Sequence, residues 1–356
     1  MCLTPSPIRM DEPTMRAAVY GGAFLGGGGG GGLRGGLKTM QDVLSCGKPL
    51  MLLPIEALPE DALLATASMV GAPAAKNGYA DNDQVRRTME LYTGRGLPVQ
   101  GIITCENGGG STANGWLLSA LTGIPLVDAP CNGRAHPTGQ MGSMGLGQIP
   151  GFVSVQAAAG GNPALGLATE LCAAGPMDVV SHLVRLAADE AGGLVAVLRN
   201  GVQAGYVKKH GAPGAIRQAI GVGKVFLQHE GSGEEILKGL SSLFTLSVLA
   251  QGCVEGYTLT TRGGYDVGSL TVDGCELTFW NEYMCAEKNE KRLATFPDLM
   301  VTLDRETGEV LSSAQIQNGR QVTVVSVPRS ELILGEGMRE EASFREAEKI
   351  IGKSLW

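Results

Sequence analysis

Seven consecutive glycines, Gly26 to Gly32, interrupt the chain soon after its start, in a sequence with 54 glycines among 356 residues. Without a Cβ, such a run sustains neither helix nor strand; it serves tight turns and close backbone approach. No three-residue period accompanies it, which excludes a collagen-like fibre. The run fits a dinucleotide fingerprint only trivially, because any glycine pattern fits a homopolymer. A true dinucleotide loop also needs an acidic residue about 20 positions on, at the end of the next strand. Glu56 is near that distance, but Ala57-Leu58-Pro59 follow it rather than a second βαβ unit. Nicotinamide and flavin are therefore disfavoured as cofactors. Two readings stay open. One is a hairpin that needs close packing. The other is a cradle of N–H groups, Gly26, Gly28 and Gly30 among them, for a carboxylate or imide oxygen.

Around this run the chain reads as α/β. Apolar stretches at 50–55, 63–69, 99–104 and 124–128 suit buried strands. Helices are predicted at 37–44, from Asp81-Asn82 to Gly94, and at 113–121. That cadence predicts an N-terminal layered α/β domain over residues 15–165 with a mostly parallel sheet. Residues 1–14, with three prolines and mixed charges, read as a flexible tail, and 16–20 as a short apolar start. Beyond Gln156 the pattern turns helical, with Pro176 at a first turn and Val179, Leu183 and Leu186 on one face. A strand at 194–198 and helices at 213–220 and 234–243 follow. From about residue 246, β-branched runs punctuated by Asp273-Gly274, Thr307-Gly308 and Asn318-Gly319 predict a β-rich module, closed by a helix over 340–351. Residues 166–356 thus form a C-terminal domain, helical to about 245 and then β-rich.

Charge and cysteine usage narrow the function. The formal charge is −7, from 28 basic and 35 acidic residues, and no basic stripe occurs, which argues against nucleic-acid binding. No apolar run reaches about 18 residues and no signal-like core opens the chain, so neither membrane partners nor export is expected. The eight cysteines form no Cys-x-x-Cys pair. Reduced thiols in a cytoplasmic protein are the expectation.

Two polar stretches that follow strands could carry chemistry. The first is Cys105-Glu106-Asn107-Gly108-Gly109-Gly110. Glu106 suits a general base or a metal ligand there, or equally a carboxylate capping the next helix. The second, from Asp128 to Pro137, brings a carboxylate, Cys131, Asn132, Arg134 and His136 together within a few residues. Such a set can orient a polar ring: Asp128 for an N–H, Arg134 for an anion, and Glu106 or His136 for proton transfer. Cys131 with His136 could form a nucleophile pair, although lone cysteines are more often packing residues. Asn107, Gly108, Gly109 and Asn132 join the glycine loop as candidate substrate contacts. His182 reads as a packed histidine, and His210 and His229 as surface ones. Four unclustered histidines give little ground for a polyhistidine metal site, and the use of a divalent metal stays open. Glu282 and Asp298, each set in an apolar strand context, read chiefly as structural carboxylates.

Taken in order, several segments resemble the S-methyl thiohydantoin desulfurase family. They are Gly21-Gly22-Ala23-Phe24-Leu25-Gly26, Met69-Val70-Gly71-Ala72-Pro73, Glu106-Asn107-Gly108-Gly109, Val127-Asp128-Ala129, Gly133-Arg134-Ala135 and Gln140-Met141. The second half adds Arg262-Gly263-Gly264-Tyr265-Asp266-Val267-Gly268, Asn281-Glu282-Tyr283, Pro297-Asp298-Leu299 and Gly319-Arg320-Gln321-Val322. The resemblance implies an α/β domain followed by a strand-rich one. It also implies hydrolysis at a small cyclic substrate such as a hydantoin, thiohydantoin, imide or lactam. The alternative reading is a non-catalytic binding or assembly subunit that works with a hydantoinase- or oxoprolinase-type partner; a homo-oligomer also stays open. The chain departs from the family pattern at Pro130-Cys131, His136 and Thr138, where acidic, small or aromatic residues are usual.

Overall fold

The computed structural model describes residues 5–71, 75–262 and 265–355. Cys2 and the pairs Ala72-Pro73 and Gly263-Gly264 of the family-like segments lie outside them. Two eight-stranded sheets organise the chain. The first holds β1 (Ile8–Arg9), β2 (Met51–Leu53), β3 (Leu63–Gly71), β4 (Gly101–Thr104), β5 (Leu126–Val127), β6 (Ser154–Gly160), β7 (Thr169–Gly175) and β8 (Leu194–Gln203). Their order is β1-β2-β5-β4-β3-β8-β6-β7. Strands β2, β5, β4 and β3 run parallel, while β8, β6 and β7 extend the sheet antiparallel. The parallel part follows from its crossovers, because α3 (Asn82–Thr93) joins β3 to β4 and α4 (Trp116–Thr122) joins β4 to β5. Asp81 and Gln84 form a reciprocal capping box that starts α3.

The second sheet is antiparallel throughout. It holds β9 (Ser247–Arg262), β10 (Tyr265–Val272), β11 (Cys275–Trp280), β12 (Glu282–Lys288), β13 (Lys291–Thr295), β14 (Leu299–Asp304), β15 (Val310–Leu311) and β16 (Gln321–Val327). Asp273 and Gly274, both at positive φ, form the tight turn between β10 and β11 that the sequence signals. The other helices are α1 (Glu12–Leu25), α2 (Leu33–Ser45), α5 (Met177–Glu190), α6 (Ala204–His210), α7 (Ala215–Gln228), α8 (Gly233–Ser241) and α9 (Glu341–Ile351).

Three expectations about local elements change, at residues 16–20, in the tail and after Gln156. Residues 16–20 belong to α1 rather than to a short apolar start, because Asp11 caps the Thr14 N–H and Pro13 occupies the first turn. The expected tail therefore gives way at Ile8–Arg9, which pairs with β2. The stretch after Gln156 is a β-hairpin, β6 to β7, and not helix. Its Ala157-Ala158-Ala159 core is fully buried, and burial overrides alanine's preference for helix. The boundary expected at 165 falls in the turn of this hairpin, so the first sheet draws on both sides of it and continues to Gln203.

Helix α1 connects the two sheets. Its first half, Met15 to Val19, packs in a core with α2, α4 and α7. Its last turn, Ala23, Phe24 and Leu25, packs with Leu299, Val301 and Val325 of the second sheet. Helix α7 lies against it at near-backbone distance: a Cβ at Gly223 would fall 1.7 Å from the Ala17 carbonyl oxygen. Gly221, on the same helix, faces nothing within 4 Å. Gly223→Ala should therefore lower the unfolding free energy by about 1–3 kcal/mol through overpacking. Gly221→Ala should raise it by about 0.5–1 kcal/mol. Equal midpoints for the two variants in urea denaturation would refute this close packing.

Candidate active site

The glycine loop begins where α1 ends and passes between the two sheets. Gly26 closes the helix, donating its N–H to the Gly22 carbonyl. The Gly27 carbonyl accepts from the Tyr283 N–H, and the Gly28 carbonyl accepts from Ser313 through both N–H and Oγ. The Gly30 carbonyl accepts the N–H groups of Gly110 and Ser111. A Cβ on Gly29 would fall 1.8 Å from Glu282 Oε1, and one on Gly30 would fall 2.7 Å from Gly108 Cα. So the run connects two helices and is packed from both sides. It does not lead a strand into a helix, as a dinucleotide loop does.

Glu106, in the loop after β4, is buried and held by two donors. Its Oε1 accepts from Ser111 Oγ at 2.8 Å, and its Oε2 accepts the His136 N–H at 3.1 Å. The imidazole turns back on the same carboxylate, with Nε2 3.1 Å from Oε2. That approach is out of line, so neither ring nitrogen completes a hydrogen bond. Burial holds His136 below its ordinary pKa, against the opposing pull of Glu106. Its ring is neutral at neutral pH.

Glu282, at the start of β12, is brought beside this pair by the second sheet. Burial first, and the Glu106 charge second, push its carboxyl well above the ordinary range, with Arg134 opposing. Its Oε2 has no partner. Glu106, His136 and Glu282 border a cavity of about 990 Å³ together with Gly30, Ser111 and Asn281. Ser68 Oγ, buried and unpartnered, belongs to the same wall.

The remaining expected residues sit outside this wall. Arg134 is fully buried behind it. Its Nη1 donates to the carbonyls of Pro297 and Asp298, its Nε donates to Ala135, and its guanidinium lies 4.5 Å from the Phe296 ring centroid. Burial lowers it to about 10, so it stays cationic at neutral pH. Asp128 turns away and holds the start of α7: its Oδ1 accepts the Ile216 N–H at 2.9 Å, and Arg217 Nε lies 3.2 Å from Oδ2. Cys131 packs under β3 against Thr66 Oγ1, and burial pushes its thiol up to about 11. Asn107 donates to the Gly133 and Ala215 carbonyls, and Asn132 donates to the Arg134 carbonyl and accepts from the Gly335 N–H. Gly108 and Gly109 press on the glycine loop, and Gly26 and Gly28 are engaged as above. These residues build the loops around the cavity; of the glycines expected to touch a ligand, Gly30 lines it.

Glu282 is the residue that the sequence undervalued. Its sequence signal was a single carboxylate among apolar residues, in Trp280-Asn281-Glu282-Tyr283. Among the described residues, no group of three or more His, Cys, Asp or Glu side chains is arranged to hold a metal ion. No helix of the described residues is long and apolar enough to cross a membrane.

Fold and site together define a two-domain protein, α/β then antiparallel β, with a carboxylate pair and a neutral imidazole beside one cavity. Family models match the two parts of the chain: the S-Me-THD-like N-terminal domain matches residues 14–165 and the S-Me-THD-like C-terminal domain residues 176–340. The chain belongs to the S-Me-THD-like family. A crystal structure of a protein from Chromobacterium violaceum, 17% identical, aligns over 97% of this chain and 96% of that one with a TM-score of 0.69, so the fold is shared. No curated protein matches the chain.

Two outcomes test these placements. Cys131 should resist alkylation in the native protein and react on unfolding, because it is buried and its thiolate is disfavoured. Asp128, raised by burial to about 6, contributes stability that is complete below about pH 4 and is lost as pH rises to about 6. The span of some two pKa units corresponds to about 3 kcal/mol. Asp128→Asn should flatten that part of the stability curve, as read by denaturation at stepped pH. Parallel curves for the two proteins would refute the buried, strained carboxylate.

Proposed function

We propose that the cavity bordered by Glu106, His136 and Glu282 binds a small planar nitrogen-containing ring, an S-methylated thiohydantoin or related hydantoin, and hydrolyses it. The family description supports the ring class. One observation carries the chemistry: three buried ionisable side chains meet at one cavity wall, with Glu282 Oε2 and both His136 ring nitrogens unpartnered. Unpartnered buried polar atoms cost stability, and sites of catalysis are where that cost is tolerated.

In this reading Glu106, with the neutral imidazole of His136 beside it, takes a proton from water. The water oxygen bonds to the ring carbon between the two nitrogens. Glu282, held protonated by burial, donates to the ring nitrogen as the water adds. The C–S bond then breaks as the adduct's hydroxyl returns its proton to Glu282 and becomes the ring C=O, and methanethiol leaves with the proton that Glu106 took from water. Arg134 stays behind Glu282 and limits how far its carboxyl is raised. Cys131 takes no part as a nucleophile.

The test is methanethiol release from S-methylated thiohydantoins by the purified protein. Glu106→Gln should lower kcat by about 10²–10⁴-fold while the fold persists. The wild-type rate should fall on the acid side as His136 protonates, below the ordinary imidazole range. It should fall on the basic side as Glu282 ionises, above the ordinary carboxylate range. A Glu106→Gln protein with unchanged turnover would refute the assignment. A chain inert on every such ring alone, but altering a hydantoinase-type partner, would replace hydrolysis with a subunit role.

A further inference from the structure

A second cavity, of about 1470 Å³, lies between α5 and the C-terminal module and takes part of its wall from residues 138–152. Arg199 of β8 lines it. This side chain is 6% exposed, and among the described residues its guanidinium makes no hydrogen bond and no salt bridge. Its Nη1 lies close to Gly139, on the loop that follows His136, where a Cβ would approach it to 3.4 Å. A buried guanidinium without an anion costs several kcal/mol unless something else balances it.

Other groups on the same cavity point to the same kind of ligand. Trp280 Nε1 and Ser343 Oγ are buried, unpartnered and able to donate, and both residues line this cavity. The neighbouring Arg185 is already engaged: its Nη1 donates to the Gly71 carbonyl, and its guanidinium sits 4.3 Å from the Tyr265 ring centroid. That leaves Arg199 as the cavity guanidinium that makes no hydrogen bond or salt bridge among the described residues. Asp178, Asp189 and Glu346 on the walls would repel a dianion. Val70, Phe152, Met177, Val184 and Ile350 on those walls suit an apolar body.

We infer that Arg199 is the anion-recognition residue of this cavity, and that the cavity takes a small organic monocarboxylate, its carboxylate on the guanidinium and its apolar part along the wall. A planar carboxylate matches the guanidinium fork with two parallel N–H···O bonds. The site stands apart from the ring-hydrolysis reading. Val70 and Arg185 border both cavities, but Arg199, Trp280 and Ser343 border this one alone, and binding there is measured without turnover.

The experiment is calorimetric titration of the full-length protein with acetate, hexanoate and benzoate, their neutral amides, and inorganic phosphate, at constant ionic strength. At least one carboxylate should bind saturably and its amide should not. Arg199→Met should weaken that binding about tenfold or more, Arg199→Lys should retain part of it, and the melting temperature of Arg199→Met should equal or exceed that of wild type. A stability gain with a binding loss is the signature of a ligand site; a purely structural arginine would give the reverse. Arg199→Gln stands in if the methionine variant fails to fold. Absence of carboxylate binding, equal binding of acid and amide, or binding indifferent to Arg199 would each overturn the inference. Arg199-dependent binding of phosphate alone would overturn the carboxylate assignment.

Discussion

Glu282 reaches the candidate site only because Gly29 has no side chain: a Cβ there would overlap its carboxylate oxygen. The contact explains why a stretch of chain with no propensity for regular structure sits between two helices. Helix α1 packs in two hydrophobic clusters, one under each sheet, so its C-terminus is fixed at the junction of the sheets. From that fixed end the loop must pass between Tyr283 and Glu282 on one side and the backbone of Gly108 on the other. A backbone without side chains is the thinnest available spacer. Its carbonyls are not left idle, since Tyr283, Ser313, Gly110 and Ser111 all donate to them. The run is therefore a packed interface first, and one edge of a cavity second.

That close approach brings two carboxylates into one poorly solvated region, and their surroundings differ. Glu106 accepts from a hydroxyl and a backbone N–H. Glu282 has a free oxygen and is raised by burial and by Glu106 itself. When two such groups interact, the proton resides on the one whose charge is less supported. In the proposed mechanism, the division into base and acid would follow from which carboxylate each loop feeds with donors. His136, neutral and adjacent, can relay a proton without adding a second positive charge beside Arg134.

Much of the architecture was legible in the sequence because it rests on local rules. The capping box of α3, the first-turn proline before α5 and the Asp273-Gly274 turn each satisfy backbone groups with nearby residues. The order of an α/β half followed by a β-rich half was readable for the same reason, whereas Glu106 and His136 were only separate candidates for proton transfer, and their contact spans 30 residues. The hairpin of β6 and β7 was not. Its alanines form strands because neighbouring strands bury them, a tertiary effect that no local pattern carries. Asp128 misled for a related reason: a carboxylate after a strand looks the same in sequence whether it faces a ligand or a distant helix end. Glu282 lies 176 positions from Glu106, and no spacing rule connects them.

The two buried arginines show how position, and not residue type, decides function. Arg134, in the densest polar stretch of the sequence, looks like an anion binder. Yet its Nη1 and Nε donate to three backbone carbonyls, and Phe296 covers its face. Carbonyl oxygens satisfy donors without cancelling the charge, so Arg134 remains a fixed positive field behind Glu282. Arg199 stands just past an apolar strand run and drew no notice in sequence, yet it has no such bonds. Strand alternation explains its burial: β8 lies between β3 and β6, where Arg199 is paired with Thr66 on one side and Gln156 on the other. A central strand position accepts an arginine only at a cost, because both neighbours restrict its escape to solvent. Two of the three guanidinium nitrogens of Arg134 are bonded to carbonyls and Nη2 alone is left over, so its charge is chiefly part of the scaffold; Arg199 Nε has no such bond, and the carboxylate proposal rests on that contrast.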